Sequence, residues 1–109
     1  MLSVEEIARR YHHVEYAIGQ AARACSAERN LPSELRDCIQ RMDRQSDRVK
    51  QIIQMSDELQ IRKLVDDLAL LGERARRVCA NGAVTLTPQM TTAVTNMHEE
   101  LSLLKRQLH

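Results

Sequence analysis

The chain has no tryptophan, no phenylalanine and only two tyrosines. Its core must therefore be assembled from Leu, Ile, Val, Ala and Met, a palette that suits helix packed on helix. Three glycines and two prolines are too few for the many tight turns of an all-β chain. The longest purely apolar run is Leu68-Ala69-Leu70-Leu71, far short of a membrane span. The opening residues, MLSVEEIARR, lack the apolar stretch of a secretion signal. Charge of one sign is also missing. Lys plus Arg number 16 and Asp plus Glu 15, giving a formal net charge of +1. No basic tail or block stands out, so nucleic acid and anionic membrane are not expected partners.

The remaining composition is that of a folded domain. Hydrophobic residues make up 43% and charged residues 28%, within the globular range and outside the disordered one. A length of 109 residues predicts one domain spanning 1–109 with little surplus stability. Three cysteines, an odd number, and no secretion signal point to reduced thiols and a cytoplasmic protein.

Four apolar seams run along the chain. Val4, Ile7, Tyr11, Val14, Ile18, Ala21 and Cys25 recur at alternating steps of three and four, the signature of one narrow helix face. Ser3 with Glu6 makes a capping box at its start. Pro32 then ends one helix and begins the next. The second seam is Leu35, Cys38, Ile39, Met42, Val49, Ile52 and Ile53, interrupted at Gln45 and Ser46. Residues 54–58 contain neither Gly nor Pro, yet Ser56 or Asp57 can cap a new helix. A tight turn is expected there, with one continuous helix over 33–80 as the rival. The third seam is Ile61, Leu64, Val65, Leu68, Leu71, Ala75, Val78 and Cys79, with Gly72 allowing a close helix approach. Gly82 suits a C-terminal cap, and 83–87 form a link. Thr87-Pro88 restarts the chain as cap and first helical residue. The last seam is Met90, Ala93, Val94, Met97, Leu101, Leu104 and Leu108. Helices of similar length with short links predict an all-α, antiparallel up-down four-helix bundle.

Alternating directions give this bundle two unlike ends. One gathers Ala21, Cys25, Cys38, Met42, Ala75, Cys79, Met90 and Ala93; the other is bulky and aliphatic. Cys25, Cys38 and Cys79 thus form a possible thiol cluster, which could serve a soft metal or a redox sensor. The plainer reading is that buried Cys and Met simply fill space, and no CxxC pair argues otherwise. His12 and His13 are adjacent rather than three or four apart, so they do not make a helical metal pair. The residues after His13, Val-Glu-Tyr-Ala-Ile-Gly, do not match a histidine phosphotransfer pattern. Glu99 and Glu100 lack an ExxH partner, so a di-iron bundle is not indicated. No nucleophile–base set or Gly-rich phosphate loop occurs. Neither a catalytic site nor a cofactor is expected.

Two features remain. Arg41, Arg44 and Arg48 form a stripe, and Arg74, Arg76 and Arg77 a cluster, with Asp37, Asp43, Asp47, Asp66, Asp67 and Glu73 among them. They describe either a face for an acidic partner or a salt-bridged solvent surface. Tyr16, Met55, Leu59, Leu70 and Leu103 project off their seams. If several join into a patch, they mark a surface for another protein or for self-association. The sequence therefore predicts a non-catalytic bundle acting through protein contact, with the thiol-based sensor as the alternative.

Overall fold

The computed structural model describes residues 3–81 and 86–109. It shows four α-helices and no strand among them: α1 (Val4–Ala27), α2 (Ser33–Gln54), α3 (Glu58–Ala80) and α4 (Pro88–Leu108). Each helix packs against its two neighbours in the order α1–α2–α3–α4–α1, giving an up-down bundle measuring 41 × 21 × 18 Å. No helix among the described residues is long and apolar enough to cross a membrane.

The helix starts follow from their caps. The Ser3 hydroxyl accepts from the Glu6 N–H at 3.2 Å, Asp57 from Gln60 and Thr87 from Met90. Each satisfies a backbone donor that the first turn leaves without an intrahelical partner. Pro32 caps α2 without a side-chain bond. The predicted break at 54–58 is present, and the continuous helix is not. Ser56 takes the left-handed conformation, with φ of 57°, between Gln54 and the Asp57 cap. A serine here does what glycine usually does at a helix end. The expected Gly82 cap and link residues 83–85 lie outside the described residues.

The core is the four seams. All seven predicted α4 residues are buried. Leu71, Val78 and Cys79 on α3 and Ile52 on α2 are half-buried and pack at its margin. Gly72 is buried where α3 meets α2 and α4. A Cβ there would sit 3.2 Å from Leu101 Cδ1 and 3.5 Å from Met42 Cε, so the missing side chain does permit the predicted close approach.

The interruption at Ser46 has a specific cause. Ser46 is a buried polar residue, and its hydroxyl accepts the O–H of Tyr11 on α1 at 2.8 Å. The serine hydroxyl and the tyrosine tip thereby satisfy each other inside an otherwise apolar core.

Candidate functional site

The interior offers little chemistry. Cys25 and Cys38 are buried and Cys79 half-buried, and all three are free thiols. Burial raises the ionisation of each above the ordinary thiol value. Arg36 partly offsets this at Cys25, as Arg74 does at Cys38, and Glu28 reinforces it at Cys25 and Cys79. The influence of Glu28 on both Cys25 and Cys79 puts those two thiols near one end of the bundle, as the threading predicts. They are not activated: a reactive cysteine has its ionisation lowered by its surroundings. Among the described residues no group of three or more His, Cys, Asp or Glu is arranged to hold a metal ion.

These thiols do make stability depend on pH. Their ionisation is raised on folding, so above about pH 8.5 the unfolded chain loses protons before the folded one. The folded state is then favoured less with each step up in pH. The urea midpoint is expected to fall between about pH 7 and about pH 10, and to fall less in a Cys25→Ala/Cys38→Ala/Cys79→Ala variant. A midpoint that holds steady in the wild-type chain would contradict the burial of the thiols.

The surface is more informative. Tyr16, Met55, Leu59, Leu70 and Leu103 are 66%, 72%, 78%, 62% and 44% exposed, so all five are outside the core. They divide between two opposite sides. Tyr16 and Leu103 border a groove along the α1–α4 contact. Ala17, Ala24 and Ala93 keep its middle shallow, and Gln20 and Asn96 offer amides beside them. Gln20 donates to the Tyr16 hydroxyl at 2.7 Å, one turn away, and so fixes that ring. Toward the other end the groove becomes charged, with Glu6, Arg9, Arg10, His13 and Glu100. Sequence reasoning missed this groove. Its signal is the row Ala17, Gln20 and Ala24, which runs beside the α1 seam at steps of three and four.

Met55, Leu59 and Leu70 belong to the other side, the outer face of the α2–α3 hairpin. Leu59 and Leu70 are three turns apart on α3, opposite Ile61, Leu68 and Gly72 of its buried stripe. Met55 leads directly into the turn beside Leu59.

The arginines are not a salt-bridged surface. Of Arg41, Arg44, Arg48, Arg74, Arg76 and Arg77, only Arg77 pairs with a carboxylate among the described residues, Glu73, at 2.9 Å. Lys50 pairs with Glu15 and His109 with Asp66. Arg41, Arg44, Arg48 and Arg74 are exposed and have none. Compared with protein-family models, curated proteins and solved structures, the chain matches none.

Proposed function

We propose that this chain works by binding rather than by catalysis, as a helical bundle that engages another protein or a second copy of itself. The observation that carries the reading is the exposure of five large apolar side chains, two of them bordering the α1–α4 groove and three on the α2–α3 side. Water contact with such side chains is unfavourable, by about 25 cal/mol per Å² of apolar area. Large apolar side chains exposed on a shared side of the bundle supply the covering area that a contact surface requires. Tyr16 is suited to an anchoring role, because its large ring is already oriented by Gln20 and loses little freedom on binding. The high-lying ionisation of the thiols favours this reading over a redox or metal sensor. Three reduced cysteines fit a cytoplasmic setting.

The test compares the wild-type chain with a Leu59→Glu/Leu70→Glu/Leu103→Glu variant. Size-exclusion chromatography with light scattering reads self-association, and recovery from native-host extract reads a partner. The variant is expected to keep its helical circular dichroism and to lose the complex. A complex that survives all three substitutions would place binding elsewhere.

A further inference from the structure

We propose that the outer face of the α2–α3 hairpin receives an acidic, helix-forming segment of another protein. This rests on the binding reading above and gives it a partner chemistry. Arg41, Arg44 and Arg48 follow one another on α2 at steps of three and four, so they share one side of the helix over about 10 Å. Arg41 and Arg74 both act on the Cys38 thiol, which fixes α2 and α3 in register at this level and sets Arg74 beside Arg41. The hairpin turn at Ser56 then puts Leu70 about level with Arg44, and Met55 beside Leu59 at the far end. The face therefore carries Leu70 among its arginines toward one end, and Met55 with Leu59 at the other.

Its charge is not neutralised from within. Arg41, Arg44, Arg48, Arg74 and Lys63 stand against Glu34, Asp37 and Asp67, and none of these eight makes an ion pair among the described residues. Asp43 and Asp47 fall on the opposite flank of α2, toward α1, where both border a groove with Glu15 and Lys50. The three arginines therefore lie on the α3 side of the helix with Glu34 and Asp37, whereas Asp43 and Asp47 share the α1 side with Lys50.

That arrangement selects among occupants. A helix bearing Glu or Asp at steps of three and four can meet the arginine row with charge-assisted hydrogen bonds, some of them bidentate. Its apolar residues can cover Leu70, Leu59 and Met55. A second copy docked through the same face would oppose two cation-rich surfaces, which is unfavourable. A nucleic-acid backbone would meet the flanking carboxylates and find no use for the three apolar side chains. It would also face a chain whose net charge is only +1.

The test is fluorescence anisotropy with a labelled synthetic helix carrying Glu at steps of three and four and Leu along one flank. Saturable binding that weakens with added salt is expected. An Arg41→Gln/Arg44→Gln/Arg48→Gln variant keeps helix propensity and should bind at least about tenfold more weakly. An Arg29→Gln/Lys105→Gln/Arg106→Gln variant removes the same charge from exposed positions off both apolar surfaces and should stay within about twofold of wild type. Arg44→Glu, a single outward reversal, serves if the triple variant loses its circular dichroism. Absence of saturable binding, equal loss in both charge variants, or preferential binding of duplex DNA would each overturn the assignment. Such a failure would leave the apolar surfaces to their own test, because that test changes none of these arginines.

Discussion

Leu68→Ala is expected to cost about 2–5 kcal/mol of unfolding free energy, the range for a large-to-small change in a packed core. Leu68 is fully buried on α3. It lies on the same stripe as Leu64, Val65, Gly72 and Ala75. The substitution removes the transfer energy of three carbons and leaves a cavity that the surrounding packed helices can close only in part. For a domain of this size, total stability is on the order of 5–15 kcal/mol, so the loss is a large fraction of the whole. Urea denaturation with an unchanged slope checks it. A loss under about 1 kcal/mol would mean that Leu68 is not on a packed seam.

The second large effect belongs to the hydrogen bond between Tyr11 and Ser46. Tyr11→Phe keeps the ring and removes only the hydroxyl, leaving the Ser46 oxygen buried without its donor at a cost of about 1–3 kcal/mol. Ser46→Ala alone leaves the tyrosine O–H only its 3.4 Å bond to the backbone carbonyl of residue 46 and should also destabilise the fold. The double variant should cost less than the sum of the two, because replacing both partners removes the unsatisfied group. Burial raises the Tyr11 ionisation well above the usual tyrosine value, with the bond to Ser46 opposing and Glu15 and Asp47 adding to the rise. The hydroxyl is therefore neutral, and a donor, throughout the ordinary pH range. Strict additivity in the cycle would mean that the two groups do not interact.

Much of the bundle was legible because its core is periodic. On α4 the buried residues Met90, Ala93, Met97, Leu101, Leu104 and Leu108 follow at steps of three and four, with Val94 beside Ala93, and Thr87-Pro88 announces the start. Cys25, Cys38, Cys79 and the five outward apolar residues were likewise readable one helix at a time. What was not legible lies between helices. Ser46 interrupts its seam when read alone and completes it only once Tyr11, thirty-five residues earlier, is placed opposite. The turn at Ser56 lacks the glycine that marks most left-handed positions. The division of Tyr16 and Leu103 from Met55, Leu59 and Leu70 depends on which neighbour flanks each side of each helix. Spacing within a helix carries no such information. The arginines are the same case. Their interleaved carboxylates suggest pairing in one dimension, but Asp43 and Asp47 turn toward α1 and leave Arg41, Arg44 and Arg48 without them.

Site-specific photo-crosslinking in the native host tests the binding account most directly. A photoreactive phenylalanine analogue at Tyr16 or Leu70 sits on one of the two apolar surfaces, whereas Thr91 or Thr95 places it on exposed positions away from both. The account predicts discrete covalent adducts from Tyr16 or Leu70 on irradiation, and none from Thr91 or Thr95. Adducts of equal yield from all four positions, or from none of them, would contradict it.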